Sequence, residues 1–345
     1  MTKAYHETLT KDYFGDLYDR VTQKITRGEN VLISAIPGFG VKTVFNFLEY
    51  NIRSDALFEE ILIYDPEIQA VPLVDFVKQS LNTTPAKSQL ILVRFFESSK
   101  DKAATLERLD SLRRRNPKDM VFLIFADHTV LTHPDDYQAK STIFFSEIIY
   151  MFPFSETQTK KMIASLYTFY GWKIDKSLYT KIYKLSGGVP RLIKYLCKEI
   201  YESKVPIENS EKFQIIPQIN FQLKLLTKLL ITLPEEELET LRITEDGKIK
   251  SRLVKGYFKI YQNEAVAQLL SNLTQQEQKL MTYLIENQNE VVSLDKIADL
   301  IALADDDFSL WAIYKLISRL KIKVKNNFEI RNLKGKGYKL EKLNL

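Results

Sequence analysis

A short glycine turn near the N-terminus contains the residue types that bind phosphate groups. Gly38 and Gly40 precede Lys42 and Thr43, and the apolar run Val31–Ala35 comes before them. Backbone N–H groups at such a turn can face a triphosphate, the lysine can reach its outer phosphates, and the threonine hydroxyl can hold Mg²⁺. The composition of the turn therefore indicates ATP or ADP with Mg²⁺ as its ligand.

The spacing within this turn departs from both common phosphate-binding patterns. Against G-x-x-x-x-G-K-[ST], the two glycine positions fall on Ile36 and Val41. Against P-G-x-G-K-T, Val41 is an insertion between Gly40 and Lys42. Two interpretations stay open: a nucleotide-binding loop with an altered cradle, or a turn that binds no cofactor and only joins a buried strand to a helix.

Five short apolar runs between residues 30 and 153 alternate with segments of helical spacing. Continuous apolar strands separated by helices are typical of a parallel sheet covered on both faces. The predicted fold class for residues 1–153 is therefore α/β, with a five-stranded parallel sheet, and the glycine turn after its first run makes it resemble the P-loop NTPase type. The runs are Val31–Ala35, Ile61–Tyr64, Leu90–Val93, Val121–Phe125 and Ile148–Phe152.

The next two segments are predicted from periodicity and turn residues. Residues 154–205 have helical spacing and form a predicted helical lid. Residues 206–270 form a connector to which the pattern assigns no single structure. Within it, the Asp246-Gly247 turn predicts a hairpin of Leu241–Ile243 with Lys248–Ser251.

The glycine turn and one lid segment together resemble a known family. Residues 186–193 read Ser-Gly-Gly-Val-Pro-Arg-Leu-Ile, similar to the sensor-2 segment S-G-G-x-P-R that opens a lid helix. Over about residues 13–203 the chain resembles the AAA+ and STAND class of P-loop ATPases, particularly its origin-recognition-like branch. The resemblance implies that Arg191 reaches the outer phosphate of a bound nucleotide.

The same resemblance assigns roles near the ends of two predicted strands. Glu97 matches the catalytic glutamate that polarises the attacking water, whereas Phe96 stands where the family has its Mg²⁺-binding aspartate. Asp127 lies near the sensor-1 position, which contacts the γ-phosphate or water; a strand-end cap is the alternative. Because the missing carboxylate positions Mg²⁺ in phosphoryl transfer, ATPase activity is expected to be weak or absent.

The positive charge of the chain is concentrated at its C-terminal end. The formal net charge is +5, yet residues 308–345 contain ten basic and two acidic residues. The other 307 residues are therefore slightly acidic. This asymmetry indicates a polyanionic partner for the C-terminal segment.

Residues 271–345 resemble the OmpR/PhoB-type winged-helix DNA-binding domain. Residues 317–323 read Ile-Ser-Arg-Leu-Lys-Ile-Lys, and residues 330–338 read Ile-Arg-Asn-Leu-Lys-Gly-Lys-Gly-Tyr. The resemblance implies double-stranded DNA as partner, with a recognition helix over 310–324 in the major groove and a wing hairpin at the minor groove or phosphates. The residues implied to contact DNA are Trp311, Lys315, Ser318 and Arg319 at bases or phosphates, Lys321 and Lys323 along the backbone, and Asn332, Lys334 and Lys336 in the wing.

Cysteine and histidine are too few for several other kinds of site. Cys197 is the single cysteine and there are three histidines, which excludes an internal disulfide and a Cys/His metal cluster. Thr43 is the one residue expected to meet a metal, and only if Mg-nucleotide binds. No signal-peptide pattern or long apolar run is present, so the sequence predicts a cytoplasmic protein without membrane contact.

The predicted function is a DNA-binding regulator, of transcription, whose AAA+-like domain acts as a switch or scaffold. One alternative is an active ATPase of replication-initiator or loader type. Another is a catalytically inert AAA+ scaffold subunit of a DNA-processing complex, as in clamp loaders. Self-association through the AAA+-like domain, or binding of other subunits, is expected in either case.

Overall fold

The computed structural model describes residues 3–83, 88–115, 119–138, 143–287, 290–301, 310–325 and 328–342. The chain divides into two compact units. The first comprises Met1–Leu226 with Glu235–Val254, and the second comprises Thr227–Pro234 with Lys255–Leu345. Within the described ranges, no helix has the combination of length and apolar character needed to cross a membrane.

A five-stranded parallel sheet forms the centre of the first unit. Its spatial order is β2-β3-β4-β1-β5, and every neighbouring pair is parallel. Each of the five apolar runs coincides with one of these strands, the fifth run extending one residue beyond β5, which confirms the predicted α/β fold class. The strands are β1 (Val31–Ala35), β2 (Glu60–Tyr64), β3 (Ser88–Val93), β4 (Asp119–Ala126) and β5 (Glu147–Met151).

Helices cover both faces of this sheet. On one face, Ile91 of β3 belongs to a buried core that includes Val77 and Leu106 from two flanking helices. On the other face, the ring of Phe125 lies 5.1 Å from that of Phe45. Burial on both faces explains why the strands contain continuous apolar runs, and each fully buried apolar side chain contributes about 1.5–3 kcal/mol.

The helices of the first unit follow the predicted alternation and then the predicted lid. Those around the sheet are α1 (Leu17–Ile25), α2 (Val41–Ser54), α3 (Leu73–Thr83), α4 (Lys102–Arg115) and α5 (Thr129–Thr132). The lid contains α6 (Glu156–Tyr170), α7 (Tyr179–Ser186) and α8 (Pro190–Glu202). The connector contains α9 (Ser210–Gln214), α10 (Pro217–Thr232), α11 (Glu235–Thr240) and the start of α12 (Arg252–Ser271).

The hairpin of the connector lies closer to its turn than the sequence predicted. Strands β6 (Thr244–Glu245) and β7 (Lys248–Ile249) pair across Asp246-Gly247. Leu241 and Ile243, expected in the first strand, are buried ahead of the hairpin. A two-residue turn fixes the register of the residues next to it, so pairing begins directly at the turn.

The second unit contains the winged helix. Its elements are α13 (Gln275–Glu286), β8 (Val291–Val292), α14 (Leu294–Ile301), α15 (Leu310–Val324), β9 (Phe328–Leu333) and β10 (Gly337–Lys342). The three strands form an antiparallel sheet in the order β8-β10-β9. Leu280, Ile297, Ile313 and Leu340 contribute to one buried core beneath this sheet.

Candidate functional site

Helix α15 presents a polar and basic face opposite its buried face. Five apolar side chains point into the core, as expected for a helix with one buried stripe. The residues on the opposite side, Trp311, Lys315, Ser318 and Arg319, are all exposed. The ammonium of Lys315 lies 4.7 Å from the centroid of the Trp311 ring. The four residues that sequence reasoning assigned to this face therefore lie together on it.

Two further lysines of α15 contact the domain itself. The ammonium of Lys321 lies 5.6 Å from the Tyr338 ring centroid, and that of Lys323 donates a hydrogen bond to Glu277 at 2.7 Å. Glu277 is buried and belongs to the capping box of α13, where its carboxylate also accepts from the Thr274 N–H at 2.8 Å. Glu277 thus neutralises Lys323, whose predicted DNA contact has a competing partner within the fold.

The wing hairpin contains two kinds of basic side chain, those that form ion pairs and those that form none within the described ranges. Arg331 lies 3.1 Å from Glu329 and 3.0 Å from Glu341, and Lys339 lies 2.9 Å from Glu341. The hydrogen bond from Lys339 holds the pKa of Glu341 below its ordinary value. By contrast Asn332, Lys334 and Lys336 are exposed, and within the described ranges neither lysine forms an ion pair.

The start of β10 explains the second glycine of the wing turn. Gly337 has φ +129°, and a Cβ built on it would lie 2.1 Å from the carbonyl oxygen of Val292. Strand β8 therefore approaches β10 too closely for any side chain at this position. Gly337 is therefore needed for the pairing of β10 with β8. The turn before it carries Lys334 and Lys336, whose side chains are exposed.

A set of unpaired cations marks the candidate nucleic-acid interface. Among the described residues of this segment, five exposed basic side chains form no ion pair, although several neighbours do; the half-buried Lys321 also has no ion pair but lies over the Tyr338 ring. Cations that are not neutralised by the protein are available to phosphate oxygens. These five are Lys315, Arg319, Lys325, Lys334 and Lys336.

The glycine turn connects β1 to α2, as the sequence predicted. Gly40 is the N-cap of α2 in the left-handed conformation, and the helix begins at Val41. Lys42 is exposed, Thr43 is half-buried and Phe39 is buried, with only 1% of its surface accessible. The inserted residue Val41 thus occupies the first helical position, and Lys42 follows one residue later.

Two residues from the lid and connector contact this turn, Arg191 through its backbone and Gln222 through its side chain. The backbone N–H of Arg191 donates to the carbonyl of Gly38 at 3.1 Å. The Gln222 amide donates to the carbonyl of Pro37 at 2.8 Å, and its oxygen accepts from the Arg191 guanidinium at 3.5 Å. The structure therefore brings Arg191 and the glycine turn together, and it adds Gln222 between them.

The carboxyl ends of β3 and β4 hold the predicted acidic residues. Glu97 is half-buried, and its Oε2 has no hydrogen-bond partner within the described ranges. Burial disfavours its charged form and the nearby charge of Asp127 adds to the effect, so the pKa of Glu97 is raised to about 7. Phe96, at the place of the metal-binding aspartate, is buried with its ring 6.0 Å from that of Tyr137.

Asp127 is engaged in a local cap. Its Oδ1 accepts from the backbone N–H of Thr129 at 2.9 Å and from the hydroxyl of the same residue. Its Oδ2 lies 3.9 Å from Nδ1 of His128, whose pKa is lowered by burial. These contacts agree with the alternative reading of Asp127 as a cap at the end of β4.

The residues of this edge do not fit a bound Mg-nucleotide. The metal-binding carboxylate is replaced by a buried phenyl ring, and Gln222 with Arg191 is bonded to the glycine turn where a free surface is needed. Among the residues that the structure describes, no group of three or more His, Cys, Asp or Glu is placed to hold a metal ion.

Sequence reasoning missed two residues of this region, Gln222 and Arg94. Gln222 lies within the apolar stripe of α10 beside Leu223 and Leu226, and a polar residue in such a stripe indicates a buried hydrogen bond. Arg94 directly follows β3, bonds Asn46 at 2.8 Å and lies 3.3 Å from Asp65. The sequence feature that could have indicated Arg94 is a basic residue placed immediately after a buried strand, where it needs polar partners.

A family comparison agrees with the winged helix. Residues 269–340 match the family model described as "Transcriptional regulatory protein, C terminal". This match covers α13 to β10, and so includes the exposed face of α15 and the wing. The C-terminal segment is therefore a winged helix of the transcriptional-regulator type.

Solved structures give more distant similarity along the whole chain. The Thermotoga maritima RuvB Holliday junction branch migration motor is 14% identical over 97% of this chain and 93% of that one, with a TM-score of 0.41. The Aeropyrum pernix ORC1 protein in complex with DNA is 11% identical over 99% and 94%, with a TM-score of 0.38. At these low values the likeness supports no conclusion about activity. No curated protein matches the chain.

Proposed function

We propose that this chain is a DNA-binding regulator of transcription whose winged helix binds duplex DNA. The observation that carries the proposal is the set of unpaired cations on α15 and the wing, which lies in the segment that matches transcriptional-regulator C-terminal domains. In this proposal Lys315 and Arg319 meet the major groove, while Lys334 and Lys336 meet phosphates or the minor groove.

The physical basis is the fit of one helix and one hairpin to duplex DNA. A major groove about 12 Å wide admits an α-helix, and an arginine can make a forked contact with guanine that a lysine cannot. Arg319 is the one arginine on the exposed face of α15 in the described range. We therefore assign base discrimination chiefly to Arg319 and phosphate contact to the lysines.

For the α/β unit we propose a switch or scaffold role without rapid ATP hydrolysis. Two observations support this: Phe96 replaces the metal-binding carboxylate, and Gln222 bonds both the glycine turn and Arg191. Self-association or binding of other subunits through this unit belongs to the same proposal. Light scattering of the purified protein, alone and with duplex DNA, tests the self-association.

The DNA proposal is tested by removing two of the unpaired cations together. Arg319→Ala with Lys334→Ala is expected to abolish binding to duplex DNA in fluorescence anisotropy, with the helical content of the chain unchanged. The matched control is Lys279→Ala with Lys296→Ala, which removes the same charge from α13 and α14. An equal loss of affinity in both double variants would mean that only the net charge matters. No loss of affinity in Arg319→Ala with Lys334→Ala would refute the proposal.

An active ATPase of loader type is the second candidate, because Glu97 has the elevated pKa that suits a proton acceptor near neutral pH. Turnover of ATP above about 1 s⁻¹ that vanishes in Lys42→Ala and Glu97→Gln would favour this candidate.

Sequencing the DNA bound to the protein in its own cells separates the biological roles. Promoter sites support regulation of transcription, whereas a replication origin supports a loader.

A further inference from the structure

Gln222 is a buried polar residue with a defined set of partners. It lies on the inner side of α10, has no accessible surface, and is flanked by the equally buried Ile219 and Leu223. A buried amide costs free energy unless its hydrogen bonds are made. Here the amide nitrogen donates to the Pro37 carbonyl and the oxygen accepts from Arg191.

The glycine turn has a space that the Gln222 amide fills. Gly38 has φ +95°, and a Cβ built on it would lie 2.2 Å from the amide nitrogen and 2.6 Å from the amide oxygen of Gln222. A side chain at this position would displace the Gln222 amide, and the left-handed backbone conformation would strain any residue other than glycine. The turn and α10 are therefore complementary at this point.

Arg191 is held in the same cluster. Its N–H bonds the Gly38 carbonyl, and its guanidinium is directed to the Gln222 oxygen. A phosphate ligand at the turn would need a free surface over the glycines and a free cation from the lid. Gln222 contacts both of these groups at once.

We propose that Gln222 is an internal latch, which fills the space at Gly38, holds Arg191 and so keeps nucleotide phosphates out of the glycine turn. The turn of this chain is thus closed by its own side chain. Phosphate can enter only after Gln222 withdraws from Gly38. The inference concerns the α/β unit alone and does not depend on DNA binding.

The test is a titration of a fluorescent ATP analogue with Mg²⁺ into three proteins. Wild type is expected to bind at least about tenfold more weakly than Gln222→Ala, a difference of about 1.4 kcal/mol or more. Gln218→Ala, an exposed change one turn earlier in α10, is expected to behave as wild type. The gain should disappear when Arg191→Ala is added to Gln222→Ala.

Two outcomes overturn the latch: equal binding by wild type and Gln222→Ala, or no binding by a Gln222→Ala protein whose circular dichroism shows that it is folded. Gln222→Ser is the second variant if the alanine protein does not fold.

Hydrogen exchange of residues 36–44 in wild type gives an independent readout. Protection of these amides by millimolar Mg-ATP would overturn the proposal, and unchanged exchange would support it. Duplex binding of the same samples reports on the DNA proposal separately.

Discussion

The ammonium of Lys323, on α15, lies 2.7 Å from the carboxylate of Glu277, which is only 1% exposed at the start of α13. The two residues link α15 to the first helix of the winged domain. Burial alone would raise the pKa of Glu277, but the hydrogen bonds from Lys323 and Thr274 outweigh it, so the pKa lies below its ordinary value of 4.5. Lys323 therefore supports the fold of the domain.

Lys323→Met is expected to destabilise the winged helix by about 1–3 kcal/mol at pH 7, because a buried carboxylate loses a charged partner. A carboxylate with a depressed pKa stabilises the fold above its unfolded pKa, and this contribution is lost as the pH falls through about 4.5 and below. The difference from wild type should shrink there. Urea unfolding followed by Trp311 fluorescence, in a Trp172→Phe background, measures it.

Lys325→Met is the matched control for this prediction. Lys325 is exposed, one residue beyond α15, and forms no ion pair within the described ranges. Its replacement should leave the free energy of unfolding within about 0.5 kcal/mol of wild type. An equal loss in both variants, or a loss in Lys323→Met that does not change with pH, would contradict the role given to Glu277.

The salt dependence of DNA binding should separate Lys334 from Lys339. If the four unpaired lysines, Lys315, Lys325, Lys334 and Lys336, contact phosphates, the slope of log K against log salt is about −3.6. Lys334→Ala is expected to reduce its magnitude by about 1, since one phosphate contact is lost. Lys339→Ala should leave the slope nearly unchanged, because Glu341 already neutralises that ammonium. Anisotropy titrations of both variants at several salt concentrations measure the two slopes. Equal slopes would contradict the assignment of Lys334 to phosphate contact and of Lys339 to the ion pair with Glu341.

Local sequence patterns predicted most of the fold because each depends on near neighbours. The strand Val31–Ala35 is buried at every position and apolar except at Ser34, and the helix Leu310–Val324 has one apolar stripe; both were predicted with the bounds the structure shows. The capping box joins Thr274 to Glu277, three positions later, and it was also predicted from the sequence. Local periodicity was therefore enough to place the sheet, the lid and the winged helix.

The contacts that decide the chemistry join distant parts of the chain. Gln222 and Pro37 are 185 residues apart, and Lys323 and Glu277 are 46 apart. No periodicity or motif specifies such pairs, because they depend on how packed elements meet. For this reason sequence reasoning did not pair Lys323 with Glu277 and did not place Gln222 at the glycine turn.

Glu97→Gln is expected to stabilise the α/β unit above pH 7. The folded state holds the Glu97 proton more tightly than the unfolded state, because burial raises the pKa from 4.5 to about 7. A free-energy cost therefore develops as the pH rises from about 4.5 and is complete above about 7. The neutral amide avoids it, with a gain of about 1–3 kcal/mol at pH 8 and none near pH 4.5.

Urea unfolding followed by Trp172 fluorescence, in a Trp311→Phe background, measures this gain at the two pH values. Glu236→Gln on α11 is the control, because that carboxylate is exposed and its replacement should change stability little at either pH. A stabilisation of Glu97→Gln that is the same at both pH values would show that ionisation of Glu97 is not its cause.

A double-mutant cycle between Gly38 and Gln222 tests the close contact at the glycine turn. Gly38→Ala alone should destabilise the unit through two effects, the clash of its methyl group with the Gln222 amide and the strain of a side chain at φ +95°. Gln222→Ala alone leaves the Pro37 carbonyl unpaired, at about 1–3 kcal/mol. In the double variant the clash is gone, while the backbone strain and the unpaired Pro37 carbonyl remain, so it should be less destabilised than the two single changes added together, by about 0.5–3 kcal/mol.

Gly40→Ala is the control for this cycle. Gly40 has a similar φ of +79°, but no atom lies within 4 Å of a Cβ built on it, so its replacement adds strain without a clash. Its cost should therefore add to that of Gln222→Ala within about 0.5 kcal/mol. Unfolding free energies from urea titrations of the six proteins complete both cycles. Additivity at Gly38 as well as at Gly40 would mean that the Gln222 amide does not lie against Gly38 in solution, and the latch would lose its structural basis.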